Sequence, residues 1–141
     1  MALRQKVVCG LSGGALAALL AGCSVDSLIW GSNGAKVIEA TEKLIADLAA
    51  GETSDLVCAD STADFGNPSD WSSLSAGEPE KFSGKYWKDQ AALNPQWSIN
   101  LEGLPEGASS GTTFPGDLFF RETGDELCVI DVAWATLSAV E

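Results

Sequence analysis

The sequence predicts an α+β domain in which an N-terminal amphipathic helix packs on a C-terminal antiparallel sheet of three to four strands. Apolar residues recur at helical spacing between positions 35 and 50. From Trp97 to Leu101 apolar and polar residues alternate, as they do in a half-buried strand. Thr123-Gly124-Asp125 separates two further strand-like runs and has the composition of a tight hairpin turn.

The predicted helix covers residues 35–50, and Gly51 suits the position just after its end. Its apolar stripe follows 4-3-4 spacing and consists of Val37, Thr41, Leu44 and Leu48. A second short helix is predicted over residues 53–59. Residues 60–84 are rich in Ser, Gly, Pro and Asp and are predicted to be mostly loop, with a helical turn at 79–82. A loop of this length is uncommon in a small domain, which indicates an element that the local pattern does not show.

The last third of the chain supplies the sheet. Strands are predicted over 97–101, 112–121 and 127–137, with a loop at 103–111. Alternation along the last strand places one apolar set on a common face: Cys128, Ile130, Val132 and Trp134. This face is expected to contact the helix.

The N-terminus has the layout of a secretory signal, with Arg4 and Lys6 ahead of an apolar run from Val7 to Leu20. The run is shorter than the ~20 residues that span a bilayer and is rich in glycine. It ends in Leu20-Ala21-Gly22-Cys23, which resembles the lipobox of bacterial lipoproteins.

The resemblance implies three segments: a signal peptide at 1–22, a lipidated tether at 23–34 and a single α+β domain at 35–141. In lipoproteins the cysteine of the lipobox carries a diacylglycerol, and peptidase cleavage makes it the first residue of the mature chain. Cys23 is therefore the expected lipid (palmitate) attachment site. The protein would be exported and anchored to the outer face of the bacterial cell membrane, or to the outer membrane in a Gram-negative host. Two acyl chains are about what stable anchoring requires.

One apolar triplet, Leu28-Ile29-Trp30, interrupts the otherwise polar tether. We expect it to pack against the core as the domain begins. The alternative is that it enters the membrane interface beside the lipid, where tryptophan is favoured.

Charge and composition limit the function classes. Cleavage before Cys23 removes two cations and no acids, which leaves six Lys and Arg against 20 Asp and Glu, a net charge of −14. Such a chain repels nucleic acid. The sequence has no histidine, which excludes Ser-His-Asp and Cys-His catalysis and histidine-ligated zinc. Cys9 leaves with the signal peptide and Cys23 carries lipid, so an exported domain is predicted to form a Cys58–Cys128 disulfide.

A second resemblance concerns the domain itself. Leu48-Ala49-Ala50-Gly51-Glu52 is similar to the exit of the first helix in NTF2-like proteins. The run from Gly124 to Ile130 resembles the last strand pair of these NTF2-like or cystatin-like α+β proteins. The resemblance implies a curved sheet that wraps helices into a cone with an open mouth, but it implies no reaction.

Candidate site residues are few. Asp131 lies inside an apolar strand and, with Trp134, marks a possible pocket; a solvent-facing acid is the simpler interpretation. Four acids, at 55, 60, 64 and 70, fail the EF-hand pattern, because the sixth and twelfth residues counted from Asp60 are Phe65 and Trp71. No metal site is therefore predicted.

The spacing of Lys81, Lys85 and Lys88 fits one helical face, which suits an anion contact or a solvated surface.

These observations predict a membrane-anchored envelope lipoprotein that acts as a non-enzymatic binding or interaction module. Its partner would be an envelope protein or a small ligand, and no cofactor and no catalytic residue is predicted. The alternatives are an NTF2-like ligand carrier and a histidine-free enzyme with a small pocket.

Overall fold

The structure is a computed structural model that describes residues 25–138, with side chains from residue 28 onward. The predicted signal peptide and Cys23 lie outside the described residues. The described residues fall into two units, which are divided between Ala35 and Lys36, and the fold below is that of the second unit unless stated.

Helix α1 (Val25–Ala49) begins well before the predicted start at residue 35. Gly31 has non-helical angles (φ 80°, ψ 171°), which interrupt the helix. In the first unit Leu28 is 87% exposed and Ile29 is 61% exposed.

In the second unit α1 fully buries Val37 and Leu44 of the predicted stripe, whereas Leu48 is only half-buried. Ile45, which lies beside the stripe, is buried as well. Thr41 is buried too, and its hydroxyl donates to the carbonyl of Val37 at 2.7 Å, which satisfies the polar group. The helix ends as predicted. The Glu52 N–H donates to the carbonyl of Asp47 at 2.9 Å, while Gly51 (φ 77°) takes the left-handed conformation of a Schellman motif.

The sheet has four antiparallel strands in chain order: β1 (Ser75–Lys81), β2 (Trp97–Glu102), β3 (Thr113–Thr123) and β4 (Glu126–Thr136). α1 packs on this sheet, so the α+β prediction is confirmed. β1 is the element that the sequence did not reveal, and the helical turn predicted at 79–82 is wrong.

β1 tolerates Gly77 and Pro79 because it is an edge strand with an irregular register between Ala76 and Pro79. A Cβ at position 77 would overlap the side chain of Asn100, whose Oδ1 accepts the Glu78 N–H at 2.8 Å. The same irregularity hides the strand from a search for alternating residues.

The short helix predicted over 53–59 is also wrong. Val57 instead forms an isolated parallel bridge with Val129 on β4. The Val129 N–H donates to the carbonyl of Leu56 at 2.7 Å, and the Cys58 N–H donates to the carbonyl of Val129 at 2.9 Å. Beside this bridge Cys58 and Cys128 form the predicted disulfide, with their Cα atoms 4.9 Å apart.

Two apolar clusters cover the two faces of the sheet. The helix-side cluster contains Leu118, Phe120, Val129 and Val132, with Trp134 packed against it. The far-side cluster contains Cys58, Phe119 and Ile130, with Phe82, Trp87, Leu93 and Cys128 packed against it.

The predicted common face for Cys128, Ile130, Val132 and Trp134 is therefore wrong. The register shifts between Phe119, which pairs with Asp131, and Phe120, which pairs with Val129. Ile130 is the extra residue of this β-bulge, and the bulge moves the alternation by one position. Val132 and Trp134 consequently belong with the helix-side cluster, whereas Cys128 and Ile130 belong with the far-side cluster.

Candidate functional site

An open pocket of about 560 Å³ lies between residues 85–90 and the stretch Val132–Trp134 of β4. Its volume falls within the range of small-molecule sites. We call it the β4 pocket. Its lining residues combine aromatic, charged and amide groups: Lys85, Tyr86, Trp87, Lys88, Asp89 and Gln90 from one side, with Val132, Ala133 and Trp134 from the other.

The 85–90 side of the pocket is built from tight turns between β1 and β2. The backbone N–H groups of Tyr86 and Trp87 both donate to the carbonyl of Ser83 at 3.2 Å. Helix α2 (Lys88–Ala91) follows at once, and the Ala91 N–H donates to the carbonyl of Trp87 at 3.1 Å. These bonds fix the backbone that presents Trp87 and Gln90.

The Trp87 ring is held by the far-side cluster. It meets Phe119 edge to face, with ring centroids 4.9 Å apart and an interplanar angle of 73°. Phe82 contacts the same Phe119 ring edge to face at 6.0 Å. Phe119 is fully buried, so it anchors this wall of the pocket.

Trp134 forms the opposite wall and is held by a loop. Its indole Nε1 donates to the carbonyl of Asp64 at 3.0 Å. A Cβ at Gly66 would lie 2.6 Å from Cη2 of the Trp134 ring, so only glycine lets the loop approach this closely. The residue that the sequence named for a pocket therefore lines the β4 pocket.

Asp131, the other residue named for a pocket, is half-buried and does not line the β4 pocket. Gln90, which does, donates from Nε2 to Oδ2 of Asp131 at 3.1 Å. Asp131 thus acts on the pocket through Gln90, whose amide it orients.

Asp117 is a carboxyl near the pocket that was not among the residues predicted from the sequence. It pairs with Ala133 of the pocket wall across β3 and β4. Burial, together with the smaller effect of the Glu80 carboxylate, raises the pKa of Asp117 to about 6. One signal was available: Asp117 lies two residues before Phe119, so strand alternation places both on the same side of β3.

The three lysines do not share a helical face, because Lys81 belongs to β1. Its Nζ lies 4.6 Å from the Trp97 ring centroid, whereas Lys85 and Lys88 line the β4 pocket. The Lys85 Nζ lies 5.5 Å from the ring centroid of Tyr86. Two cations and one exposed aromatic ring therefore border the pocket.

The acids of the 60–70 loop form local contacts. Asp64 accepts the Gly66 N–H at 2.9 Å, Asp70 accepts the Asn67 N–H at 2.8 Å, and Asp60 pairs with Arg121 at 3.0 Å. Within residues 25–138 no group of three or more Asp, Glu, Cys or His side chains could hold a metal ion.

In comparisons with known proteins, no protein family, no curated protein and no solved structure matches this chain. The lipoprotein and NTF2-like resemblances stay predictions. Among the helices of the described part of the chain, none has the length and apolar character needed to cross a bilayer.

Chemically, the β4 pocket offers two fixed indole rings, an oriented amide and three charged side chains. This combination suits the non-covalent binding of a small ligand with both an apolar face and polar groups.

Proposed function

We propose that the protein is an exported lipoprotein, anchored through a diacylglycerol on Cys23, whose domain binds a small ligand in the β4 pocket. The observation that carries the binding role is the fixation of Trp87 and Trp134. Phe119 holds the first ring, and the Asp64 carbonyl with Gly66 holds the second. The position of the lipobox-like sequence behind a cationic and apolar run supports the anchor.

Fixed pocket walls favour binding because less conformational freedom is lost when the ligand arrives. The aromatic faces supply apolar contact area, while Lys85, Lys88 and Gln90 supply hydrogen-bonding groups that orient a polar ligand. Two lysines against one acid in the pocket lining, Lys85 and Lys88 against Asp89, favour a ligand with at least one anionic group.

The binding role is tested with a photo-crosslinking amino acid at Tyr86, which lines the pocket and is 74% exposed. The matched control carries it at Leu104, which is 42% exposed and does not line the pocket. Irradiation of intact cells should yield a defined mass adduct at position 86 only. Gln90→Ala should reduce that adduct several-fold. No adduct, or the same adduct at both positions, would contradict the proposal.

The anchor is tested by cell fractionation. Cys23→Ala should release the protein from membranes, and the wild-type protein should begin at Cys23 with the added mass of a diacylglycerol. Cys9→Ala, in the segment that is removed, is the matched control and should leave both properties unchanged. An unprocessed wild-type N-terminus with membrane retention in Cys23→Ala would refute the anchor.

A second candidate function, a histidine-free enzyme, is favoured by Asp117. A carboxyl with a pKa of about 6 can both accept and donate a proton near neutral pH, and Asp117 pairs with Ala133 of the pocket wall. If it is catalytic, Asp117→Asn protein isolated from cells should retain unreacted substrate, whereas wild-type protein should not. Asp125→Asn, in the β3–β4 turn, is the control. Identical retained compounds in all three proteins would exclude this function.

A further inference from the structure

Two neighbouring apolar side chains of the first unit face solvent. Leu28 is 87% exposed and Ile29 is 61% exposed. Of the large hydrophobic side chains that are exposed in the described part of the chain, only Tyr86 and Leu104 lie elsewhere, and those two are isolated. Adjacent exposed Leu and Ile side chains carry a free-energy cost in water that an apolar surface removes.

Their distance from Cys23 is bounded by chain geometry. From Val25 to Leu28 the chain is helical, at about 1.5 Å per residue. The two preceding residues span at most about 3.6 Å each. The Cα of Leu28 therefore lies within about 12 Å of the Cα of Cys23.

A diacylglycerol on Cys23 holds that residue at the membrane surface, where the headgroup region of one leaflet is about 7 Å thick. Leu28 and Ile29 are then close enough to Cys23 to reach the interface. Trp30, the next residue, is a side chain that interfaces favour. The domain carries a net charge of −14 in its mature form, so anionic headgroups would repel it rather than bind it.

We infer that Leu28 and Ile29 insert into the bilayer that carries the lipid of Cys23, as a second and purely apolar membrane contact. The inference rests on the proposed lipid anchor. It assigns the segment before Gly31 to the membrane surface, and it makes the attachment independent of salt bridges with headgroups.

The test uses the lipidated protein in phosphatidylcholine vesicles that contain a lipid with a nitroxide on its acyl chain. Leu28→Cys carries an environment-sensitive fluorophore, and Asp125→Cys, in the exposed β3–β4 turn, is the control. Cys58 and Cys128 are disulfide-bonded and Cys23 carries the lipid, so the introduced thiol is the one that reacts. Nitroxide should quench the label at position 28 several-fold more than at 125, with no dependence on salt.

A second variant tests the energetic role. Leu28→Ser/Ile29→Ser should keep the lipid mass and the midpoint of thermal unfolding, because both side chains are exposed. Its transfer between vesicles should be roughly tenfold faster than that of the lipidated wild type.

The outcomes are distinct. If the mass shows the lipid but positions 28 and 125 are quenched equally, the membrane contact is wrong and the anchor stands. If the mass shows no lipid on Cys23, both proposals fail. A blue-shifted label at 28 that escapes nitroxide quenching and loses its shift at low protein-to-lipid ratio would show contact with a second copy, which also overturns the inference.

Discussion

The two faces of the sheet are covered in different ways. The helix side is packed by the regular part of α1 that follows Gly31, whose buried residues Val37, Leu44 and Ile45 recur at helical spacing. The far side is covered by turns, a four-residue helix and the Cys58–Cys128 disulfide. A helix that packs on a sheet requires only apolar residues at helical spacing, whereas turns that pack on a sheet require specific contacts at each residue.

The β4 pocket lies where these two covers meet. Trp134 is packed against the helix-side cluster and Trp87 against the far-side cluster, and both line the pocket. A ligand in the pocket would therefore contact side chains held by both faces. Changes on each face should affect the pocket through a different tryptophan, which gives the following tests.

The largest effect is expected from two adjacent and fully buried residues on opposite faces, Phe119 and Phe120. Each Phe→Ala change should lower the free energy of unfolding by about 3–5 kcal/mol, measured by urea denaturation. Only Phe119→Ala should also shift the indole N–H resonance of Trp87, because Phe119 contacts that ring. A similar shift in Phe120→Ala would show that the faces are not independent.

The second largest effect is expected from loss of the disulfide, which should destabilise the far side of the sheet. The bond closes a chain segment with a sequence separation of 70, and its removal in Cys58→Ala/Cys128→Ala should cost about 4 kcal/mol of unfolding free energy. Hydrogen exchange should accelerate at the amide of Val129, whose partner is the carbonyl of Leu56 beside the bond. Unchanged exchange at Val129 would mean that the bridge to β4 does not depend on the disulfide.

A smaller effect is expected at Gly66, with Gly124 as the matched control. Both have positive φ (67° and 71°), so alanine strains the backbone at either position by about 1 kcal/mol. At Gly66 the new Cβ also meets Trp134 and Asp70, whereas at Gly124 nothing lies within 4 Å. Gly66→Ala should therefore cost about 2–3 kcal/mol and shift the Trp134 indole resonance. Equal losses of unfolding free energy in the two variants, with no shift of the Trp134 resonance, would show that the loop at Gly66 moves at no cost to accommodate the new Cβ.

The contrast between the two faces of the sheet also explains which features could be predicted from the sequence. The helix stripe, its end at Gly51 and the β3–β4 hairpin follow from local patterns, because each depends on residues a few positions apart. The Cys58–Cys128 pair follows once export is assumed, because Cys9 then leaves with the signal peptide and Cys23 carries the lipid. These features define the α+β fold without specifying the far side.

The rest depends on contacts between residues that are distant in sequence. β1 is hidden because Gly77 and Pro79 are explained only by the Asn100 side chain and the edge position. No local sequence pattern indicates the bulge at Ile130, yet this bulge determines on which face of the sheet each residue of β4 lies. Trp134 could be named for a pocket from its strand, and Asp117 had its spacing from Phe119 as a signal, but Gln90 and Trp87 required the packed structure.

The smallest expected effect concerns the charge of the far side and is seen in the pH dependence of stability. Asp117 has a folded pKa of about 6, above its ordinary 3.8, because burial disfavours the ionised form. The folded state therefore binds the proton more tightly than the unfolded state. The contribution of Asp117 to stability is highest when the group is protonated in both states, below about pH 4, and it falls as pH rises from there to just above 6.

Asp117→Asn should remove that fall, because an amide of the same shape has no proton to lose. For a half-buried group screened by solvent, the difference between variant and wild type should change by about 1 kcal/mol between about pH 4 and about pH 7.5. Urea denaturation at the two pH values measures it, with Asp125→Asn as the control that should follow the wild type. A parallel response of Asp117→Asn and wild type would mean that water reaches this carboxyl freely. The far side of the sheet would then be as solvated near β1 as it is at the turns that cover it.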